Sequence, residues 1–289
     1  MNKTSSAMLL SFIVNALLSF FKIIIGFIGK STALIADGIH SASDLLTDTV
    51  ALVANIFSTK PADKEHPYGH GRLEYLTSIL IGLIIILIAF ILIYEVESNK
   101  IEIPSKIVIL VSLFTILTKY FLSAFLIKKG KKYDNQILIS SGKESRTDVY
   151  SSVVVLLSSI LMQFQDEISY LKYSDKIAAI IVGLFIIKAG FEIIKENINI
   201  LIGKQEDKTE YYNEVKEIIL KNEYIKSIDK LIIMKYGYYY SLTIEVSMDE
   251  NLSVKKAHEE LEKIENSLKE NDRTKYMNIH INPVETLEN

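Results

Sequence analysis

Residues 31–57 read STALIADGIHSASDLLTDTVALVANIF. The run is apolar enough to span a membrane, yet His40 and Asp44 interrupt it. Residues four apart on a helix share one face, about one turn apart. Residues 143–157, KESRTDVYSSVVVLL, set Glu144 and Asp148 at the same spacing in a second such run. An ionisable side chain in a spanning segment is costly and marks a functional site. Two such pairs at matching offset imply one shared ligand. One imidazole and three carboxylates suit a divalent metal ion.

Working outward, six segments are long enough to span, a length of about 20 residues. They are Ala7–Ile28, Ser31–Phe57, Leu73–Val96, Ile103–Ile127, Ser145–Phe164 and Asp175–Ile202. The first is expected to be a retained helix rather than a signal peptide, since no small-residue cleavage site interrupts it. The third and fourth are nearly uniform Ile, Leu and Phe and are expected to face lipid or a partner subunit. Lys22 and Lys119 fall inside apolar runs and are expected to snorkel along their helices, with pairing to a buried carboxylate as the alternative.

Charge is segregated along the 289 residues. From Gln205 onward there are 12 Lys+Arg against 18 Asp+Glu, a net of −6, and the whole chain carries −3. The first 204 residues are therefore net basic. Loops bearing Lys60, Lys64 and Arg72, and the run Lys128, Lys129, Lys131 and Lys132, lie on one side of the expected membrane. The positive-inside rule puts that side, both termini and the acidic tail in the cytoplasm. The lysine run is read as topogenic rather than as a lipid-headgroup site. The expected fold is therefore an α-helical membrane protein. Six transmembrane helices over residues 1–204 precede a cytoplasmic α+β domain over 205–289.

The tail reads as helix, strand, strand, helix, strand. Its parts are Lys208–Lys221, Ile228–Tyr236, Tyr238–Met248, a helix capped by Ser253 and running to Glu270, and Lys275–Asn282. In the second strand Leu242, Ile244, Val246 and Met248 alternate with polar residues, the period of a strand with one buried face. The order is compatible with a ferredoxin-like fold lacking its first strand.

Cysteine is absent, which removes disulfides and thiolate ligands and leaves His, Asp and Glu for any metal. The loop after residue 57 supplies three such groups, Asp63, His66 and His70, among Pro67, Gly69 and Gly71 that keep it out of a regular helix. Three N/O ligands on a short loop can hold one ion, with water completing its shell. A polar turn joining two helices needs no pair of histidines. No phosphate loop, hydrolase elbow or kinase signature occurs, and no basic aromatic surface suggests nucleic acid.

The set ALIADGIHSASD, PADKEHPYGHGRLE, SRTDVYSS, KKAHEEL and NIHINP resembles the cation diffusion facilitators, proton-coupled exporters of divalent metals, over nearly the whole chain. The resemblance implies a homodimer in a lipid membrane with six helices per protomer and protons as counter-ion. It implies a tetrahedral transport site of His40, Asp44, Glu144 and Asp148, a loop site of Asp63, His66 and His70, and a regulatory tail site. The tail-site positions are filled here by His258, His280, Asp229 and Glu245, and Asn282 stands where an aspartate is common. Zinc members carry histidine at the position of Glu144, so a carboxylate there moves preference toward Mn2+ or Fe2+ without excluding Zn2+. In some members the basic residue at Arg72 pairs with an acid just beyond the sixth helix.

The expectation is a divalent cation exporter, not an enzyme, in a prokaryotic plasma membrane. His40 is its natural proton carrier, since histidine titrates near neutral pH. A channel would need a continuous polar path, and only two of the six segments are polar. A membrane metalloenzyme would need a general base and a substrate pocket, and neither is evident. A metal sensor would use the tail alone.

Overall fold

A computed structural model describes residues 3–58, 62–98, 101–133, 136–207, 209–237, 239–271 and 273–284, with side chains described from residue 6 except 47–58, 97–98 and 136–137. The loop lysine Lys60 lies outside the described residues. Six long helices come first: α1 (Lys3–Ile28), α2 (Thr32–Ser58), α3 (Leu73–Ser98), α4 (Lys106–Lys132), α5 (Gln136–Met162) and α6 (Ser174–Leu201). They are followed by α7 (Glu210–Leu220), β1 (Ser227–Tyr236), β2 (Tyr239–Asp249), α8 (Val254–Lys269) and β3 (Thr274–Val284). The chain divides into two compact units: Met1–Thr49 with Leu80–Ile193, and Val50–Ile79 with Ile194–Asn289.

The first unit is a helical body whose core is built from small and branched residues, among them Ala33, Ala36, Ala89, Ala179, Val182 and Ile186. Small residues let helix backbones approach, the usual basis of helix packing in lipid. On α6, a Cβ added at Gly183 or Gly190 would come within 2.7 or 2.6 Å of isoleucine side chains on α3. These two glycines form the seam between those helices. On the outer face of α3, Leu80, Leu83, Leu87 and Ile91 are exposed, and on α4 Leu110, Leu113, Leu117 and Phe121 are exposed. An apolar stripe of that size is untenable in water and natural in hydrocarbon. Among the described residues, four stretches are long and apolar enough to cross a membrane: Ser6–Ile28, Leu73–Val96, Lys106–Lys132 and Ser169–Leu201. Helices α2 and α5 match them in length but carry the polar residues.

Helix α5 begins at Gln136 rather than at the expected Ser145. The apolar run starts late, but Leu138 is buried in a small cluster with Leu122 and Leu126 of α4, so the earlier turns are held by packing. The start of α2 is held by a distant residue. Ser31 Oγ accepts from Leu34 N–H at 3.1 Å and donates to Asp175 Oδ1 at 2.6 Å. Asp175 Oδ2 accepts from the N–H groups of Thr32 and Ala33 at 2.7 and 3.2 Å. A carboxylate from the first turn of α6 thus satisfies the orphan donors of α2 and complements its dipole.

Lys22 and Lys119 do not snorkel. Both are buried, and each meets an aspartate: Lys22 Nζ lies 2.8 Å from Asp37 and Lys119 Nζ lies 2.6 Å from Asp148. Snorkelling serves a lysine whose nearest polar surroundings are at the interface. Here a carboxylate on a neighbouring helix is nearer, which local sequence does not show.

In the second unit the sheet order is β1-β2-β3, with β1 antiparallel and β3 parallel to β2. Gly237, with φ +65, takes the turn between β1 and β2 that an L side chain resists. Thr209 caps α7 by accepting from Tyr212 N–H, and Ser253 caps α8 by accepting from Lys256 N–H, both at 3.2 Å. The alternating residues Leu242, Ile244, Val246 and Met248 are all buried, against Val215 and Ile219 of α7 and Ala257, Ile264 and Leu268 of α8. Strand β3 runs through Pro283 to Val284, which an edge strand tolerates.

Glu260 on α8 is 3% exposed and accepts from Lys256 Nζ and Lys263 Nζ, each at 2.7 Å, and from Asn222 Nδ2 at 3.1 Å. Lys256 first, then Lys263, hold its carboxyl down at about 2. A carboxyl depressed by folding contributes stability that is present above its unfolded value and lost as pH falls through the folded one. Glu260→Gln should therefore lower hydrogen-exchange protection of α7 and α8 at pH 7 in the full-length protein. The difference from wild type should shrink as pH falls from about 4.5 toward 2.

Candidate metal centre

Two groups of potential ligands form among the described residues, one in each unit. In the first, α2 presents His40 and Asp44 from successive turns and α5 presents Asp148. One ligand atom from each lies within 4.8 Å of the other two. Asp148 is buried and the other two are half-buried. His40 Nδ1 is buried with no hydrogen-bond partner among the described residues, an orphaned atom of the kind a ligand satisfies. Glu144 stands one turn before Asp148 but its side chain is exposed, and the structure does not bring it into this group.

The register of α2 on α5 is set by a residue that sequence reasoning passed over. Asp37 Oδ1 accepts from Ser151 Oγ at 2.6 Å, and Oδ2 accepts from Ser152 Oγ at 2.8 Å. Lys22 Nζ closes the network, 2.8 Å from Asp37 and donating to Ser41 Oγ at 3.0 Å and Ser152 Oγ at 3.1 Å. Asp37 precedes His40 by three residues and Ser151 follows Asp148 by three. This network therefore holds one turn of each helix in place beside the three potential ligands. The available signal was a carboxylate in one apolar run and a lysine in the run before it.

The second group is in the loop between α2 and α3. Asp63 Oδ1 accepts from the N–H groups of Glu65 and His66 at 3.0 and 2.6 Å, so the carboxylate organises its own turn. The His66 N–H foremost holds the Asp63 carboxyl below the usual carboxylate range. Asp63 also faces both imidazoles, with His66 Nδ1 at 3.2 Å and His70 Nε2 at 3.5 Å. The rings lie 4.5 Å apart, and His70 Nδ1 is buried without a partner among the described residues. Two imidazoles and a carboxylate so arranged fit a zinc- or manganese-like ion.

This loop is seated on the tail hairpin within the same unit. Arg72 donates to Tyr236 Oη at 2.8 Å, with its guanidinium 4.4 Å from that ring's centroid. Tyr75 Oη accepts from Gly237 N–H at 2.7 Å, and Tyr239 Oη donates to the Tyr68 carbonyl. A Cβ on Gly71 would lie 2.2 Å from the Tyr236 carbonyl oxygen, so only glycine fits there. Arg72 thus meets an aromatic phenol, at the position whose basic residue pairs with an acid beyond the sixth helix in some family members.

The expected tail ligands do not converge within one protomer. Asp229 accepts from Ser247 Oγ at 2.7 Å and from Ser227 Oγ and Asn282 Nδ2 at 2.8 Å each. Asn282 foremost holds its carboxyl low. Glu245 is paired with Lys230 at 3.1 Å. His280 stands beside Glu245 across β2 and β3, and His258 is exposed on α8.

Comparison with known proteins agrees with this layout. Residues 8–202 match the cation efflux transmembrane domain, and residues 208–284 match the cytoplasmic domain of cation efflux proteins. The chain belongs to the cation efflux family, the cation diffusion facilitators. It is accordingly an integral membrane protein of divalent cation efflux. It is 29% identical to the manganese efflux system protein MneP of Bacillus subtilis, over 95% of this chain and 94% of that one. A transporter of Methanocaldococcus jannaschii is 31% identical, over 99% of this chain and all of the other. The magnetosome protein MamB of Paramagnetospirillum magneticum is 26% identical, over 85% and 82%.

Removing one partner of a buried pair leaves an uncompensated charge, a loss of about 3–5 kcal/mol. Asp37→Leu, which strands Lys22, should lower the thermal midpoint in detergent markedly. The double variant Lys22→Met with Asp37→Leu should recover much of that loss. Equal midpoints for the single and double variants would show that the pair is not coupled.

Proposed function

We propose that the protein exports manganese or ferrous iron from the cytoplasm in exchange for protons, with zinc as a poorer substrate. The observation that carries this is the grouping of His40, Asp44 and Asp148 in the helical body. Glu144, one turn from Asp148, is the fourth ligand and closes over the ion when it binds. Three carboxylates and one imidazole form a hard, anionic set that favours manganese and iron over zinc. The names of relatives such as the manganese efflux protein support the same choice. Six spanning helices per protomer, both termini in the cytoplasm and a homodimer joined through ferredoxin-like tails complete the reading. A prokaryotic plasma membrane is the proposed location.

Alternating exposure of the site to the two sides moves the ion. On the outer side protons displace it, and His40 and a neighbouring carboxylate carry them back. The loop group Asp63, His66 and His70 holds a second, resident ion whose charge ties the loop together. The tail of this chain relies on Asn282 and Lys230 in place of a regulatory metal.

The test is flux of manganese, iron, cobalt, nickel and zinc in vesicles containing the purified protein, with an imposed pH gradient. Acidification of the side that receives the metal should accelerate flux. Asp44→Ala and Asp148→Ala should each abolish it while the protein stays folded. Normal flux in either variant would remove the proposed site. Glu144→His should shift competitive flux from manganese toward zinc and make the rate more pH-sensitive between about 6 and 7, where a second histidine titrates. A preference that stays put would remove Glu144 from the ligand set.

A further inference from the structure

Lys119 is the part of this site that the transport reading leaves unused. It lies on the buried face of α4 with Ser112, Thr115, Leu122 and Ser123 and is 2% exposed. Its ammonium donates to Asp148 Oδ2 at 2.6 Å. The other buried lysine behaves differently. Lys22 has three donors and three partners, Asp37, Ser41 and Ser152, and is saturated. Among the described residues Lys119 has Asp148 as its hydrogen-bond partner.

We propose that Lys119 is a tethered counter-cation of the transport site, which holds Asp148 while no divalent ion is bound and withdraws along α4 when one arrives. This rests on the reading of His40, Asp44 and Asp148 as that site. Asp44 and Asp148 bring carboxylate oxygens within 4.8 Å of each other in a helical body suited to lipid. Two such anions are costly to bury without a cation, and an ammonium supplies one charge whenever the ion has gone. A divalent ion bound at about 2.0–2.2 Å from an Asp148 oxygen puts two positive charges beside that ammonium. At such range, away from water, the repulsion is strong and drives the two apart.

The structure also provides a place for the displaced ammonium. Thr115 Oγ1 and Ser112 Oγ are buried with no partner among the described residues. They lie four and seven residues before Lys119 on the same buried face. Long helical side chains point toward the helix N-terminus, over these positions. Lys119 thus has an occupied acceptor at Asp148 and vacant acceptors one and two turns back. Its return to Asp148 weakens the hold on the ion at release, so it lowers affinity in exchange for turnover. A single charge opposes all divalent ions alike, so it leaves their ranking unchanged.

The experiment is titration of the full-length protein in detergent with manganese, at fixed pH and ionic strength, followed by calorimetry. An Asp63→Ala background removes the loop site from the signal. Lys119→Gln should tighten manganese binding by about tenfold or more, within the usual range of such coupling. In vesicles it should lower both KM and kcat, with the manganese-to-zinc preference unchanged. Lys119→Arg, which keeps the charge, should bind close to wild type. Thr115→Val, which removes the alternative acceptor, should weaken binding several-fold, and should have no effect once Lys119 is Gln.

A purely structural role would give the opposite sign, with every Lys119 variant binding more weakly. Unchanged or weaker binding in Lys119→Gln overturns the proposal, as does tightening in Lys119→Arg. If Lys119→Gln does not fold, the Arg and Val variants decide by the same signs. Asp148→Asn separates the two readings. Retained binding there refutes the transport site itself, whereas lost binding with no tightening in Lys119→Gln refutes the counter-cation alone.

Discussion

A carboxylate in a hydrocarbon-facing helical body must find a positive or hydrogen-bonding partner, and this constraint shapes the first unit. Asp37, Asp148 and Asp175 are all buried, and each meets the requirement differently. Among the described residues Asp175 uses the Ser31 hydroxyl and the free amides at the start of α2, Asp37 uses an ammonium and two hydroxyls, and Asp148 uses an ammonium alone. Only the last arrangement is one that an incoming cation can replace. The saturated networks fix α1, α2, α5 and α6, and the unsaturated one lies at the candidate ligands. Rigidity and exchangeability are thus divided between aspartates that look alike in sequence.

The second unit solves a different problem with aromatic residues. The α2–α3 loop carries three potential ligands on a turn organised by Asp63, and a turn of that kind needs a support. The support is the tyrosine cluster of Tyr68, Tyr236, Tyr239 and Tyr276, with Arg72 over one ring. Aromatic rings give large contact area at little entropic cost, the Tyr239 phenol donates to the loop carbonyl of Tyr68, and the nearby Tyr75 phenol accepts from the hairpin amide of Gly237. Gly71 and Gly237 permit the close approach of the two backbones. The acidic tail, meanwhile, pairs Glu260 and Glu245 with its own lysines and hydrogen-bonds Asp229 to the amide of Asn282.

Much of this was legible from residue order. The spacing of His40 and Asp44 within one apolar run placed both on one helix face, and the alternation of Leu242 to Met248 placed a strand over a core. Local periodicity determines such features because helix and strand geometry repeat over a few residues. The grouping of Asp63, His66 and His70 was legible too, since they lie too close in sequence to be far apart in space. Less legible were the lysines. An apolar run says that a lysine inside it is expensive, but not whether water or a carboxylate relieves it.

What the sequence by itself determined, then, was the inventory: six long helices, a helix–strand–strand–helix–strand tail, and the ligand types available without cysteine. It also determined the family, because the motifs around His40, His66 and Asp148 are contiguous. Tertiary structure alone decided the pairings between helices. Asp37 with Lys22 and Ser152, Asp148 with Lys119, Asp175 with the start of α2, and Arg72 with Tyr236 each join residues from different elements. The energy of a buried charge depends on whatever group lies within a few ångströms of it, at whatever distance along the chain. That neighbour is chosen by packing, which no single helix contains.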